Sequence, residues 1–439
     1  MPLRFIHLSD IHFGQERGED IYIHNDVRDQ VLDDARSLRE ALPDQKVDGV
    51  IVTGDLAFSG TLEEYDAAGQ FLDRLTEQIG CARTAVQVIP GNHDIHRKSI
   101  SKASEWMLSE IAEKGADALD SFLQDEQDRE VLYGRLRQYR KFAEAYNCPV
   151  DGTGGIAGQK HFPIGPARTL RFIGLNSALS CGKNDQQGKL ILGAKQWVLP
   201  RTKGEELVVL CHHPLHWFLD SDAALKYVST RARVFMSGHE HSPSFDVQAI
   251  ETGCDLLVLA AGATTPPKES EIYKYTYNMI EFEWNQERES LRVQLFPRVW
   301  SNKRTRFEDN PTLPGIEKNP TLLGCPNFRS AHGCEIGAPA ETATGPPESA
   351  SHTGKPREGI QMDDDFALEL LRFFRDLNGA QRLSVLIELG ALPSDWSEPL
   401  NQSAERRALD RMRVDARLRE LKQAIDTRLS SQGKGRDHT

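Results

Sequence analysis

Leu3–His12 reads LRFIHLSDIH, and this stretch decides the fold. Leu3 to Leu8 is a short apolar strand, and Ser9-Asp10-Ile11-His12 follows at its end. Alternate residues of an extended chain end point to the same side. A carboxylate and an imidazole two apart can therefore grip one cation. Four further apolar runs end in the same way. Gly49–Thr53 (GVIVT) closes on Gly54-Asp55, and Thr84–Ile89 on Gly91-Asn92-His93-Asp94. Glu206–Leu210 closes on Cys211-His212-His213-Pro214, and Val234–Ser237 on Gly238-His239-Glu240-His241. Helical stretches at about Asp26–Leu42 and Leu62–Ile79 alternate with the first runs. Strand, helix, strand, helix, strand is the pattern of a layered α/β fold, whose functional loops leave the strand ends.

Each block offers a definite chemistry. Asp55 alone has two oxygens, enough to bridge two metals, and Gly54 lets the backbone turn tightly. Asn92 offers a neutral carbonyl oxygen. His93 follows at once and can contact a substrate oxygen, while Asp94 is expected to fix the His93 ring through a hydrogen bond. His239 and His241, two apart, can serve two neighbouring metals. Mixed imidazole and carboxylate suits manganese, iron or zinc. Two such cations can clamp the attacking and leaving oxygens of a displacement at phosphorus and activate a water. Any one block is common by chance; five in order, each after an apolar run, are specific.

These blocks (DIH, GD, GNHD, HHP and GHEH) resemble the five signature motifs of the calcineurin-like metallophosphoesterases over roughly residues 3–300. The resemblance implies an α/β fold, a four-layer β-sandwich flanked by helices, with a dinuclear site at the strand ends. It implies Asp10, His12, Asp55 and His241 around one divalent metal ion, and Asp55, Asn92, His212 and His239 around the other. Manganese comes first, with iron or zinc as alternatives. His93 would be the proton donor or oxyanion stabiliser, with Asp94 as the second catalytic residue. The phosphoprotein phosphatases of the family carry GDxxDRG and GNHE. Here Gly54–Gly60 reads GDLAFSG and the third block is GNHD, so their substrate-gripping arginine is missing. LSDIHFG, TGDLAFSG followed by Glu64-Tyr65, and IPGNHD look like the cyclic-nucleotide phosphodiesterase branch, and the recombination-repair nucleases share GNHD and GHxH. The implied function is metal-dependent hydrolysis of a nucleotide or nucleic-acid phosphodiester by a metal-activated hydroxide. The alternatives are a DNA or RNA nuclease of the repair type, and a sensor or adaptor that binds without cleaving. Substrate choice falls to variable positions: Asn176 and His213 first, then His216, the loop Cys181–Lys189 with Lys183 and Lys189, and the insertion described next.

Residues from about 97 to 150 interrupt the α/β pattern with charged helical sequence. Trp106, Leu108, Ile111, Leu132, Leu136 and Phe142 are its expected core-facing residues. It is either a plain helical insertion or a lid over the site. Further strands are expected at Leu170–Leu175, Leu256–Ala260, Tyr277–Trp284 and Leu291–Phe296. The phosphoesterase domain is thus expected over 1–310. A linker is expected over 311–362, because residues 335–360 are rich in Pro, Gly, Ser and Thr and offer little to bury. A small all-α domain is expected over 363–431, with helices from about Phe366, at Ala380–Leu389 and at Ser403–Leu429. Its pattern resembles the effector-associated, death-like adaptor domains of bacterial conflict systems. That implies a protein partner and a role in defence; an oligomerisation bundle or a packed cap is the plainer alternative.

Composition sets the outer bounds. The 439 residues are 39% hydrophobic and 27% charged, enough for two or three domains. The net charge of −12 argues against wrapping duplex nucleic acid by bulk electrostatics. It does not exclude cutting a nucleotide or a single strand, because bound cations reverse the local field. Seven cysteines, odd in number and without a CxxC pair, argue against a disulfide framework or a zinc knuckle. MPLRFIHLSD lacks the features of a signal peptide. No apolar run approaches the roughly 18 residues needed to cross a bilayer. A cytoplasmic protein with no membrane partner is expected.

Overall fold

The structure is a computed structural model and describes residues 1–16, 20–250, 255–266, 274–328, 358–396 and 402–433, the side chains of 358–363 and 431–433 excepted. Two mixed sheets stack face to face, with helices outside both. The first sheet contains β1 (Leu3–Leu8), β2 (Gly49–Val52) and β3 (Val86–Val88), which run parallel. The second contains β4 (Gln159–Gly165), β5 (Arg168–Gly174), β6 (Glu205–Leu210), β7 (Ala232–Ser237), β8 (Ser244–Gln248) and β9 (Leu256–Ala260), in the order β4-β5-β6-β7-β9-β8. Its inner four strands are parallel, and its edges β4 and β8 are antiparallel. The chain then returns to the first sheet as β10 (Thr276–Asn285), β11 (Ser290–Ser301), β12 (Arg306–Asp309) and β13 (Thr321–Gly324). β10 pairs antiparallel with β1, placing Phe5 opposite Ile280.

Strand periodicity divides each central strand between two cores. Phe5, Ile51, Phe172, Val208, Leu210, Ile280 and Phe282 fill the space between the sheets. Phe5 packs its ring on Phe162 at 4.8 Å and on Phe172 at 5.1 Å. Ile6, Leu8, Val50, Val52, Leu207 and Val209 point the other way, into the helices. Strands covered on both faces read as unbroken apolar runs, which is why the sequence shows them. The helices against the first sheet are α1 (Asp20–Ala41) and α2 (Leu62–Ile79). Thr61 and Glu64 cap α2 reciprocally at its start, and Gly80 ends it at φ 70°.

The insertion forms α3 (Lys102–Lys114), α4 (Ala116–Gln124), α5 (Glu126–Tyr133) and α6 (Arg137–Ala145). Trp106 is not a core residue; it is 58% exposed. The buried residues of α3 are Ser104, Met107 and Ile111, with Leu108 partly buried against the core, so of the expected residues only Trp106 is displaced, by Met107. The second sheet carries α7 (Ala194–Trp197) and α8 (Ser221–Arg231).

The expected linker starts too early. Residues 311–328 stay on the first sheet: β13 pairs with β11, and Leu313, Leu323, Cys325 and Phe328 are buried. The Pro- and Gly-rich stretch falls mostly on 329–357, which lie outside the described residues. After it come α9 (Glu358–Leu371), a π-helical turn at Arg372–Asp376, α10 (Gly379–Glu388), α11 (Gln402–Val414) and α12 (Leu418–Gly433). The single helix expected over 403–429 is two. Ala416 takes φ 54°, and the amide of Arg417 donates back to Met412 at 2.8 Å, which ends α11. These helices pack on α2 and α6, and Phe366, Leu370, Phe373 and Phe374 share one buried cluster with Phe142 and Tyr146. Among the described residues no helix is long and apolar enough to cross a membrane.

Candidate metal centre

The carboxyl ends of β1, β2, β3, β6 and β7 meet on one side of the sandwich, and the five sequence blocks leave the sheets there. The loops after β1 and β2 are zipped together: the amides of Ile11 and His12 both donate to the main-chain oxygen of Asp55, at 2.9 and 3.0 Å. Gly238 donates to His212 O at 3.0 Å, which joins the β7 loop to the β6 loop. The amide of His239 reaches Asp10 Oδ2 at 3.1 Å and crosses to the first sheet. Five residues of these loops hold φ in the left-handed region: Asp10 at 52°, His12 at 51°, Asp55 at 53°, His239 at 70° and His241 at 56°. Side chains other than glycine are held there only where the surroundings impose it, at about 1–3 kcal/mol each. Such strain concentrates where groups are aimed at a ligand.

Asp55 lies at the middle. Its Oδ2 is 3.2 Å from His12 Nε2 and 3.3 Å from His212 Nε2, and its Oδ1 accepts the His93 amide at 2.8 Å. On one side stand Asp10, His12 and His241, with Asp10 Oδ1 3.2 Å from His241 Nε2. On the other side Asn92 Oδ1 is 3.2 Å from His212 Nε2 and 3.0 Å from His239 Nδ1. His212 Nδ1 has Thr53 O at 2.8 Å. In the neutral ring that bond takes the proton, and Nε2 is left with a lone pair. Lone pairs of His212, Asp55 and Asn92 then converge within hydrogen-bond distance, an arrangement that only a cation or an added proton satisfies. The donor set therefore fits divalent metals, and the His/Asp clusters are consistent with a dinuclear site.

The electrostatics agree. Burial works against charge on Asp55, but His212 and His93 hold it well below the usual carboxylate range. Burial likewise opposes charge on Asp10, yet the bond to His241 and the positive field of His212 bring it down to about 2. Burial lowers His212, but Asp55 overrides it and raises the imidazole to about 9. Burial and the His212 charge push His239 down to about 4.

A test follows. At pH 7 the metal-free protein carries an extra proton on His212, and a bound metal must displace it. The apparent Mn²⁺ affinity will rise with pH up to about 9, by at most about tenfold per unit for one proton. Calorimetry in buffers of different ionisation enthalpy reads the released proton. The sign for stability is opposite: the raised His212 favours the metal-free fold below pH 6.5, and that gain disappears as pH climbs through about 9. A pH-independent affinity across that window would contradict the assignment.

Asp94 does not hold the His93 ring. His93 Nδ1 faces Phe58 O at 2.9 Å instead. Asp94 is buried behind the loops and accepts from the amides of Gly91 at 2.9 Å, Ala57 at 3.1 Å and Leu56 at 3.4 Å. It braces the Asp55 loop to the Asn92 loop. Burial and the neighbouring Asp55 charge push it up to about 7. His213 is fully buried, with Nδ1 2.9 Å from Ser177 Oγ and its ring 4.2 Å from that of His239. It stands beside His212 and His239, close enough to share a cation with them. Asn176 is also fully buried, with its main chain tied to Gln196 and its carboxamide without a hydrogen-bond partner among the described residues. At the rim, His216 meets Glu240 at 2.7 Å and Lys183 pairs with Glu105 of α3. Lys183, Lys189 and Glu105 line a cavity of about 660 Å³ between α3 and the 181–190 loop.

Sequence reasoning missed three supports. Ser9 Oγ donates to Asp10 Oδ2 at 2.5 Å, Thr264 donates its amide to Ser9 O at 2.8 Å, and Tyr65 donates its hydroxyl to Asp94 Oδ1 at 3.0 Å. Ser9 adjoins a ligand and was findable; Tyr65 follows the TGDLAFSG block, but nothing in the sequence ties it to Asp94, and Thr264 carries no local signal.

The chain is 24% identical over 278 residues to the Bacillus subtilis (strain 168) protein YydB, an uncharacterized metallophosphoesterase-like protein; the match covers 60% of this chain and 54% of YydB. The chain thus spans about half the length of that curated relative. Among solved structures it is similar to the Haemophilus influenzae NAD nucleotidase (12% identity, TM-score 0.36, 72% of this chain and 54% of that one). It is also similar to a Mycoplasma pneumoniae phosphatase (12% identity, TM-score 0.33, 71% and 95%). Residues 366–427 match the GTPase-associated adaptor domain. Residues 3–243, more than half of the chain, match the calcineurin-like phosphoesterase model, and with the two-sheet fold and the centre around Asp55 this places the chain in that family.

Proposed function

We propose that the chain is a hydrolase of nucleotide or nucleic-acid phosphodiesters that works with two divalent metal ions. The observation that carries this is the placement of Asp55 between His12 and His212, with Asp10 and His241 on one flank and Asn92 and His239 on the other. Asp10, His12, Asp55 and His241 would hold one ion, and Asp55, Asn92, His212 and His239 the other. When bound, two such ions polarise a phosphoryl group and lower the pKa of water. The chain's own contribution is position. Gly54, Gly91 and Gly238 let the loops close on the ligands, and Asp94 locks two of the loops together. His93, half-buried with one ring nitrogen tied to Phe58 O, would protonate or stabilise the leaving oxygen.

Manganese is the proposed ion for these mixed imidazole and carboxylate donors, with iron or zinc as alternatives; the cyclic-nucleotide branch is the favoured substrate class on the LSDIHFG and IPGNHD motifs. The adaptor match supports a GTPase-associated protein as partner; a cytoplasmic location and a role as an effector in bacterial defence belong to the proposal alone. The test is a substrate panel with the purified full chain, in Mn²⁺ and in chelator. It holds bis(p-nitrophenyl) phosphate, its monoester counterpart, 3′,5′-cyclic nucleotides, and single- and double-stranded nucleic acid. Metal-dependent diester cleavage is expected, and the best substrate separates cyclic-nucleotide hydrolase from nuclease. Two metals bound with no substrate cleaved would overturn the enzyme in favour of a sensor.

A further inference from the structure

The C-terminal module is seated on the phosphoesterase through a charged socket in α2 and α6. Arg375, on the π-helical turn, grips Asp73 of α2 with both terminal nitrogens, at 2.8 and 2.9 Å, and reaches the Tyr146 hydroxyl at 2.8 Å. Such two-pronged pairs are directional as well as strong. Gly69 of α2 makes the room: a β-carbon there would lie 2.6 Å from the guanidinium carbon. Arg83 bridges Asp73 at 2.8 Å and Asp376 at 3.3 Å. From α11, Arg406 holds Glu144 at 2.8 Å and Asn147 at 3.0 Å. The π-turn closes the C-terminal end of α9 and presents both Arg375 and Asp376.

The helices that form this socket also reach the metal centre. Tyr65 lies one turn before Gly69 on α2. Its hydroxyl holds Asp94, and its ring packs on Phe142 of α6 at 5.2 Å. Phe142 packs on Tyr146 at 5.1 Å, the residue that meets Arg375. Asp94 in turn holds the amides of Leu56, Ala57 and Gly91. A continuous line of contacts, each described above, therefore runs from the module to the loops bearing Asp55 and Asn92.

We propose that docking of the module on the α2–α6 socket, through Arg375, tightens the metal centre, and that Tyr65 is the positioning residue that transmits it. A protein partner that draws the module off the socket would loosen the centre. This rests on reading the Asp55 cluster as a metal site. Contiguity becomes coupling only if perturbations at the two ends fail to add.

The experiment uses the full chain with Arg375→Ala, Gly69→Ala, Tyr65→Phe, and Arg375→Ala combined with Tyr65→Phe. Alanine is favoured over glycine inside a helix, so Gly69→Ala disturbs the socket without weakening α2. Hydrogen exchange is read in metal-free protein, and Mn²⁺ affinity by calorimetry. Both socket variants should speed exchange at α6 and residues 372–376, and at the amides of Leu56, Ala57 and Gly91. They should weaken Mn²⁺ binding by about fivefold or more, the scale of ordinary coupling between sites. Tyr65→Phe should weaken Mn²⁺ binding with the module still protected, and the double variant should be no weaker than Tyr65→Phe alone. A module that is released while the Leu56, Ala57 and Gly91 amides keep their protection overturns the proposal, and so do additive effects or unchanged protection at α6. If the unmodified chain takes up no Mn²⁺, the metal reading fails on its own, and the exchange data still decide the coupling.

Discussion

Asp55→Ala will remove diester hydrolysis by more than about a thousandfold and will cut bound Mn²⁺ from two equivalents to at most one. Loss of a single well-aimed electrostatic group costs about 10²–10³ in rate. Asp55 exceeds that because one side chain faces both halves of the centre, with Oδ2 at 3.2 Å from His12 and 3.3 Å from His212. The fold should survive. The bonds that zip the β1 and β2 loops use the main-chain oxygen of residue 55, which alanine keeps. The φ of 53° at this position is less comfortable for alanine than for aspartate or asparagine. Asp55→Asn is therefore the companion variant: it keeps the shape and the backbone tolerance and loses only the charge. It should bind metal more weakly than the unmodified chain and better than Asp55→Ala. Thermal melting, calorimetry with Mn²⁺ and hydrolysis of bis(p-nitrophenyl) phosphate read the three effects separately. Hydrolysis within tenfold of the unmodified rate in Asp55→Ala would place the chemistry elsewhere.

The parts of the fold that were legible are those where one physical demand dominates the sequence. β1, β2, β6, β7 and β9 are largely covered on both faces, so apolar residues dominate them. α2 matches the expected Leu62–Ile79 to the residue, because Thr61 and Glu64 form a reciprocal cap and Gly80 can adopt positive φ. β4 and β8 were missed for the opposite reason. They are half-exposed edge strands, and β4 contains Pro163, which a central strand would not tolerate. β13 was mistaken for linker because four residues carry too little pattern to register. The break at Ala416 was invisible because alanine is the best helix former and nothing in its identity announces a φ of 54°.

At the site, residue types and order were legible, while the supports were not. Short motifs encode which groups leave a strand end, but who orients them depends on tertiary contacts. Asp94 adjoins His93 in sequence, yet its carboxylate binds three amides and the Tyr65 hydroxyl, and His93 is held by Phe58 O. Thr264 reaches Ser9 from the far end of the second sheet's sequence. His213, next to a ligand motif, and Asn176, just past β5, were expected to choose the substrate; both are fully buried.

Gly91→Ala will disable the centre by geometry alone, with every ligand still present. A β-carbon at Gly91 would lie 2.1 Å from Asp55 Oδ1 and 2.6 Å from the Asp55 amide nitrogen. The carboxylate can rotate away, but the amide nitrogen cannot, so the loop bearing Asn92 and His93 must move. That movement breaks the 2.8 Å bond from the His93 amide to Asp55 and the 2.9 Å bond from the Gly91 amide to Asp94. It also draws Asn92 Oδ1 away from His212 and His239. Misplacement by about 1 Å can cost about a hundredfold in rate, so hydrolysis should fall by at least that much. The stoichiometry of Mn²⁺ should fall toward one, because Asp10, His12 and His241 lie across Asp55 from the displaced loop. Forcing an extra methyl into a close-packed contact costs about 1–3 kcal/mol, so the melting temperature should drop modestly rather than collapse. Gly165→Ala is the control, since a β-carbon there meets nothing within 4 Å, and it should leave melting, metal binding and hydrolysis unchanged. Full binding of two metals by Gly91→Ala would mean that the Asp55 and Asn92 loops do not approach each other this closely in the metal-loaded protein, and the shared position of Asp55 would have to be abandoned.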